Sequence, residues 1–466
     1  MSIPTALSNS LKHIKGFNPE AFEAVHASGE QVTSIRLNPY KKKITPQEYI
    51  DIQPMDVLQY LPSASPVEWC NTGYYLSERP SFTFDPLFHA GCYYVQEASS
   101  MFLEEVVRTA LPDHSVMPYR VLDLCAAPGG KSTHLSTLFP EGLIVANEVI
   151  KTRSGILTEN AIKWGNDNIV VTSNDAEHFK RLQGYFDMIV VDAPCSGSGM
   201  FRKDPEAIAE WSLQNVDHCS KRQKRILEDV WTALKEDGIL VYCTCSYSKE
   251  EDEDILEWVG EKKEVESVQI NTEKYPGIVE VQIDKKSLWG YRFYPDKIKG
   301  EGFFIACVRK KSPEPEMLPS PKKMAAVSVS EKLVVAGMLD NTEHLNYIYE
   351  DDGISVIKKA WENDIAVLFS VLYVKKAGIH VGKVIRNELI PVHDLSMSGM
   401  LLPGIPHVSV DRGTAIQYLR KSDIQLPGSK KGWCLVCYND VVLGWIKALP
   451  NRVNNYYPAS FRILKA

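Results

Sequence analysis

The chain has 466 residues, 44% of them hydrophobic and 24% charged, and a formal net charge of −7. That length exceeds one ordinary core and implies two or three domains, and the balance of apolar and charged residues is that of a soluble globular protein rather than a disordered one. No apolar run approaches a membrane span, and the opening MSIPTALSNSLKHIKG lacks a signal-peptide core, so a cytoplasmic protein with no membrane partner is expected.

In chain order, residues 31–39 (QVTSIRLNP) read as extended and stop at Asn38-Pro39. Thr45-Pro46-Gln47-Glu48 reads as a helix start, with a capping hydroxyl, proline at the first helical position and an acid at the third. HAGCYYVQEASS at 89–100 predicts a strand or turn, and MFLEEVVRTAL at 101–111 an amphipathic helix. From about residue 119 strand and helix alternate at short intervals. Strand-like runs cover 120–126, 143–148, 168–175, 186–194 and 238–246; helical patterns cover 131–139, 151–164 and one long stretch, 204–235. That alternation predicts an α/β fold, a doubly wound, Rossmann-like parallel sheet.

Residues 311–330 carry four prolines among charge and serine, a linker composition. Beyond them short strands and turns predict a small β-rich module, with Asn439-Asp440 between two apolar runs as a hairpin signal. Residues 331–466 hold 16 Lys and Arg against 13 Asp and Glu, or +3, which leaves −10 for the rest. The expected division is an N-terminal α+β segment (1–110), a core (111–310), a linker (311–330) and a C-terminal region (331–466).

Ten cysteines, sparse and unevenly spaced, argue for reduced thiols rather than a disulfide framework. In VLDLCAAPGGKSTHL (121–135) a strand gives way to Pro128-Gly129-Gly130 and then to a helix, a place where backbone approaches a ligand closely and a helix start offers unpaired N–H groups. A phosphate loop would place its first glycine at 125, where Cys125 stands, which disfavours an NTPase. An adenosyl ligand is favoured by Glu148, which closes the next strand where a carboxylate can accept from both ribose hydroxyls. Asp175 closes the third strand and Asp192 the fourth, so three acids line one sheet edge; each could also simply cap the helix that follows. Cys243 and Cys245 share a face of the fifth strand, and Cys245 alone reaches its carboxyl edge, where it can meet Cys195.

AAPGGKS (126–132), DAPCSGSG (192–199) and TCSYS (244–248) resemble the S-adenosylmethionine, proline-cysteine and second-cysteine motifs of RNA cytosine-C5 methyltransferases of the NOL1/NOP2/Sun family. SIRLNP (34–39), GCYYVQEASSM (91–101) and GEGFFIA (300–306) match further motifs in the same order, and the C-terminal GWCLVCYNDVVLGWIKALPNRVNNYYP is similar to the PUA-like tail of bacterial RsmF-type enzymes that modify small-subunit ribosomal RNA. The resemblance implies S-adenosyl-L-methionine as cofactor, held by Cys125, Ala126, Ala127, Pro128, Gly129, Gly130, Lys131, Glu148, Asp175 and Asp192. It implies RNA as partner, 16S ribosomal RNA above all, with tRNA as the alternative within the enzyme class and a non-catalytic assembly factor outside it. It further implies that Cys245 adds to C6 of cytosine, that Asp192 hydrogen-bonds N3 and the exocyclic amine, and that Cys195 assists release of Cys245.

The DNA-type Glu-Asn-Val partner motif does not occur here, and Asp296 stands after Arg292-Phe293-Tyr294-Pro295 where relatives often carry histidine. No metal is expected: Cys434 and Cys437 are a lone C-x-x-C pair, and residues three apart on a strand face opposite ways. A monomer is expected. Lys375, Lys376, Lys383, Arg386, Lys421, Lys430 and Lys431 could track phosphates, Tyr456 and Tyr457 could stack on bases or pack, and Lys221-Arg222-Gln223-Lys224-Arg225 reads equally as a solvated helix face or an RNA contact.

Overall fold

The computed structural model describes residues 3–44, 49–283, 287–350, 353–426 and 430–465; the helix start expected at Thr45–Glu48 lies outside them. Near the N-terminus an antiparallel four-stranded sheet runs in the order Ala64–Val67, Cys70–Leu76, Thr33–Leu37, Tyr93–Val95. The last two segments realise the extended readings at 31–39 and 89–100, and a helix, Leu103–Ala110, follows.

The centre is a ten-stranded sheet. In chain order its elements are β1 (Arg120–Asp123), α1 (Gly130–Leu138), β2 (Leu143–Asn147), α2 (Lys151–Trp164), β3 (Ile169–Thr172), β4 (Phe186–Asp192), α3 (Leu213–Val230), β5 (Leu234–Thr244), α4 (Glu253–Lys262), β6 (Val265–Ser267), β7 (Val279–Ile283), β8 (Leu288–Phe293), β9 (Phe303–Lys310) and β10 (Val374–Ala377). Strand order is β7-β8-β9-β5-β4-β1-β2-β3-β10, with β6 also on β9. Strands β5, β4, β1, β2 and β3 are mutually parallel, and β9 and β10 flank them antiparallel.

Period-two alternation fills both faces. Val121, Ile144, Met188, Val190 and Val241 enter one apolar cluster; Leu122, Val145, Ile189, Val191 and Leu240 enter the other. This is why β4 reads as an unbroken apolar run: each neighbour in sequence is buried, on opposite sides.

The single long helix expected at 204–235 is broken. Residues Glu206–Glu210 form a short helix, the chain extends through Trp211 and Ser212, and α3 restarts with the Asn215 N–H donating to Ser212 Oγ at 3.1 Å. A serine that accepts from the third residue beyond it is a helix start, which a reading by apolar period passes over.

The C-terminal region is not a detached β module. Strand β10 extends the central sheet beyond β3, and Ile348, Ile357, Trp361, Ile365, Leu368 and Leu372 join the same core cluster as β4 and β5. Two antiparallel strands, Leu345–Glu350 and Gly353–Lys358, pair on with Ile379–Ile385 and Glu388–Pro391. The last sheet contains the expected hairpin, Gly432–Tyr438 with Val441–Leu449, turning at Asn439 and Asp440, both at positive φ. Its residues Cys434, Val436 and Leu443, with Tyr457 just beyond its final strand, share a cluster with Ile35, Leu37 and Tyr93 of the N-terminal sheet. The proline-rich stretch lies along the surface, with Met317 bridged to Gln183 and the Lys322 N–H donating to the Ala366 carbonyl. Among the described residues no helix is long and apolar enough to cross a membrane.

Candidate functional site

Strand order reverses between β1 and β4, since β2 lies on one side of β1 and β4 on the other. Open α/β sheets collect ligands at the carboxyl edge of such a reversal. A cavity of about 290 Å³ occupies that place here, lined by Cys125, Ala127, Glu148, Asp175, Asp192, Cys195 and Cys245 among others. Residues scattered over 120 positions of sequence, from Cys125 to Cys245, thus face one space.

The turn after β1 depends on Gly129 at φ +116°, a left-handed conformation just before α1; a Cβ there would stand 3.2 Å from Leu157 Cδ1. Ala126, Pro128, Gly129, Gly130 and Lys131 are not lining residues but shape the turn that is. Ala126 is buried and its N–H donates to the Asn147 carbonyl at 2.8 Å. The Ala127 carbonyl accepts from Arg153 at 2.7 Å and the Pro128 carbonyl from Asn160 at 2.8 Å, so α2 pins the turn from one side. From the other side Arg36, fully buried in the SIRLNP segment, donates to the Gly130 carbonyl at 3.2 Å and to Thr133 Oγ1 at 2.6 Å.

Glu148 is 3% exposed; its Oε1 accepts from the Ile150 N–H at 2.9 Å and its Oε2 lies 3.5 Å from Arg153. Asp175 accepts from the Glu177 N–H at 3.2 Å and caps the short 3-10 helix Ala176–Arg181. Both acids therefore cap backbone and line the cavity. The two roles coexist because each carboxylate offers about four lone-pair sites.

Asp192 ends β4. Lys131 Nζ donates to its Oδ2 at 2.8 Å, and the buried Cys243 thiol donates to its Oδ1 at 3.6 Å. Burial works to lower the Lys131 pKa, but Asp192, Cys243 and Asp123 outweigh it and hold the ammonium above its ordinary range.

The Cys195 and Cys245 sulfurs lie 3.2 Å apart, one turn after β4 and the other after β5. The hydrogen bond to Cys245, then burial, push the Cys195 thiol well above its usual range, which favours its protonated form. Gly199 lets the turns close: its N–H donates to the Cys245 carbonyl at 2.9 Å, and a Cβ there would come within 2.5 Å of the Gly302 carbonyl oxygen. The GEGFF segment is thereby the third wall of the cysteine turns. Arg292 is buried, paired with Glu253 at Nε–Oε1 2.6 Å, and donates to the Tyr247 carbonyl at 2.9 Å. Asp296 lies 3.4 Å from Lys297.

Several residues of the site carry no signal in the sequence. Asp123 is completely buried with Ser132 Oγ donating to Oδ2 at 2.6 Å and no hydrogen-bond partner on Oδ1; burial raises its pKa to about 7. Asn147 cross-ties two turns, donating to the Leu124 and Asn174 carbonyls at 3.1 and 2.9 Å. Arg222 and Arg225, by contrast, belong to the basic run marked in the sequence, and they line the cavity at its mouth. Glu251, inside an acidic run, is buried between the cysteine turns.

Some candidates for nucleic-acid contact lie elsewhere. Lys376 is 4% exposed and pairs with Asp394 at 3.0 Å, so it cannot track phosphates. Tyr457 is fully buried, whereas Tyr456 is 39% exposed against Trp433. Cys434 and Cys437 are both buried. Among the described residues, one group of metal-ligating type comes together, Cys70, Glu104 and His134. Hydrogen bonds hold it: His134 Nε2 is 3.1 Å from Glu104 Oε2, Cys70 Sγ is 3.8 Å from His134 Nε2, and Arg108 donates to Glu104 at 2.6 Å.

Sequence comparison covers the chain in three stretches. Residues 3–98 match the N-terminal domain of 16S rRNA methyltransferase RsmF, residues 114–309 the 16S rRNA methyltransferase RsmB/F family, and residues 406–463 the methyltransferase RsmF PUA domain. Ribosomal RNA small subunit methyltransferase F of Shewanella baltica is 30% identical over 420 residues, 84% of each chain, and that of Shewanella loihica 29% identical over 447 residues, 91% of this chain and 88% of the relative. Among solved structures, a methyltransferase homologue from Pyrococcus horikoshii superposes with a TM-score of 0.50 at 27% identity, covering 66% of this chain and all of that one. NSun6 from the same organism, solved with SFG, gives a TM-score of 0.53 at 20% identity over 66% of this chain and 98% of that one, a likeness of fold. With a Rossmann-like core, a matched N-terminal domain and a C-terminal PUA domain in one chain, this protein belongs to the RsmF type of the 16S rRNA methyltransferase RsmB/F family.

Proposed function

We propose that this chain, acting in the cytoplasm as a monomer, methylates C5 of a cytosine in small-subunit ribosomal RNA, with S-adenosyl-L-methionine as donor. The observation that carries the reading is the pair of sulfurs 3.2 Å apart in the wall of the switch-point cavity. The cavity suits an adenosyl sulfonium: Glu148, Asp175 and Asp192 line it with carboxylates, and Leu124, Val149 and Ile226 with apolar surface. Glu148 would hold the ribose, Asp175 the adenine side, and Cys125 and Ala127 the wall between them. When bound, S-adenosyl-L-methionine supplies the electrophilic methyl group that C5 accepts.

Everything else falls to the protein. C5 of cytosine is a weak nucleophile, so Cys245 Sγ adds to C6 as thiolate, which pushes electron density to C5. Asp192, paired with Lys131, accepts from the exocyclic amine and, once the charge developing in the ring has drawn a proton to N3, from N3–H as well. After methyl transfer a base removes the C5 proton, the Sγ–C6 bond breaks, and Cys195, the thiol that holds its proton, hands it to the departing Cys245 sulfur. Arg222 and Arg225 at the mouth offer charge to RNA phosphates, and the target base must be unpaired or flipped out, since C5 inside a duplex is out of reach. The N-terminal and PUA segments, whose residues share one core, would dock the RNA.

The test is adduct trapping. Cys195→Ala incubated with ribosomal RNA and S-adenosyl-L-methionine should accumulate a covalent protein–RNA complex, and Cys245→Ala should give neither complex nor methylation. Methylation that survives in Cys245→Ala would overturn the assignment, and mapping 5-methylcytosine in ribosomal and transfer RNA with and without the protein identifies the substrate.

A further inference from the structure

The cysteine turns are joined behind the cavity as well as across it. The residue after each cysteine is a serine, Ser196 and Ser246, and neither lines the cavity. Both serines bond one carboxylate. Glu251 Oε2 accepts from Ser196 Oγ at 2.5 Å and from Ser246 Oγ at 2.6 Å, and Oε1 accepts from the Ser196 N–H at 2.7 Å. Gln223 of α3 donates to the same Oε1 at 3.4 Å and to the Pro194 carbonyl at 3.1 Å. The Tyr242 hydroxyl donates to the Glu251 carbonyl at 2.6 Å, so the backbone of this residue is fixed to β5 itself.

Glu251 has no exposed surface. A buried carboxylate is expensive unless donors surround it, and here four donor contacts come from three separate segments. It faces neither the donor cavity nor the solvent. Its bonds go to the two turns whose spacing the chemistry needs. An acid suits this post because its two oxygens accept several hydroxyl and amide donors at once, whereas a glutamine would turn an N–H group toward a serine hydroxyl.

We infer that Glu251 is the positioning residue of the two-thiol site, tying the serine after Cys195 to the serine after Cys245 and so fixing the separation of the two sulfurs. The catalytic consequence rests on the methyl-transfer reading; the positioning itself does not. With the turns tied, the Cys195 proton reaches the Cys245 sulfur without either strand end moving. A drift of about 1 Å between reacting groups can cost about 100-fold in rate.

Glu251→Ala, Glu251→Gln and Ser246→Ala in the full-length protein test this, each checked for native circular dichroism. One readout needs no catalysis: diamide takes two hydrogens from a pair of adjacent thiols to leave a disulfide and a hydrazine, and peptide mass spectrometry follows closure of the Cys195–Cys245 bond. Closure should slow about 10-fold in Glu251→Ala and less in Glu251→Gln and Ser246→Ala, in line with the hydrogen bonds each removes. In methylation assays kcat should fall about 100-fold in Glu251→Ala, with KM for RNA and for S-adenosyl-L-methionine within about twofold of the parent. Unchanged closure in a folded Glu251→Ala overturns the inference, as does a rise in KM with kcat intact. Should Glu251→Ala fail to fold, Ser246→Ala decides by the same two readouts. If closure slows as expected while the parent protein methylates no RNA, the tie stands and the methyl-transfer reading falls.

Discussion

Lys131 and Asp192 meet across the reversal of strand order, Nζ to Oδ2 at 2.8 Å, so the start of α1 and the end of β4 form one electrostatic unit. Lys131 side-chain exposure is 10%, and an ammonium this buried relies on its partner. Asp192→Asn should therefore lose about 100-fold or more in kcat, while affinity for S-adenosyl-L-homocysteine moves less than about threefold. Single-turnover kinetics and calorimetry separate the two quantities. Equal losses in both would make Asp192 a cofactor contact rather than a group that acts on the base.

Glu148 and Asp175 should behave in the opposite way. Both line the cavity and both already cap backbone N–H groups. Glu148→Gln retains an acceptor for the Ile150 N–H but gives up the charge beside Arg153. We expect each of Glu148→Gln and Asp175→Asn to weaken S-adenosyl-L-homocysteine binding about 10-fold, equivalent to about 1.4 kcal/mol, with kcat at saturating donor little changed. Unaltered affinity in both variants would leave capping as their whole role.

Asp123 gives the stability of the core a pH dependence of definite sign. Burial, resisted by the Ser132 hydrogen bond and Lys131 and reinforced by Asp192 and Glu148, raises its pKa from 3.8 to about 7. The folded state thus holds this proton more tightly than the unfolded chain. Its contribution to stability is fully present below pH 3.8 and is lost as pH rises through about 7. Asn at this position keeps an acceptor for Ser132 and carries no proton to lose. Thermal melts of Asp123→Asn and the parent should therefore diverge in favour of the variant as pH is raised from about 4 to about 8, by about 4 kcal/mol at most. A difference that does not vary with pH would show that Asp123 is not titrating in the folded protein.

Removal of residues 331–466 should not leave a working enzyme. The cut strips β10 from the edge of β3 and takes Trp361, Ile365 and Leu368 out of the core cluster that backs β4 and β5. It also uncovers Ile35, Leu37 and Tyr93 of the N-terminal sheet. Bare edges and apolar surface of this kind drive aggregation, so the truncated chain should be recovered mostly insoluble. A monomeric, soluble product with parental melting behaviour would contradict the shared core.

The central sheet was legible in the sequence because its strands are buried on both faces and read as apolar runs, while the helices between them carry a different period. The cavity acids and both cysteines were legible too, since strand ends at the carboxyl edge are where ligands gather. The break at Trp211–Ser212 was hidden by an apolar period that continues across it, and Lys376 looked available until its ion pair with Asp394 was seen. Asp123 and Glu251 gave no sign because an acid in a strand or an acidic run looks the same whether solvated or buried.

What residue order alone determined was therefore local: which segments form strands, where glycine permits the turn at Gly129, and which reactive side chains end each strand. What only tertiary structure decided was who stands beside whom. Cys195 and Cys245 come to 3.2 Å, Glu251 gathers the serines of both turns, and β10 crosses from the C-terminal region to extend the sheet beyond β3. Such pairings are set by packing and hydrogen bonding between segments distant in sequence, and no periodicity within one segment encodes them.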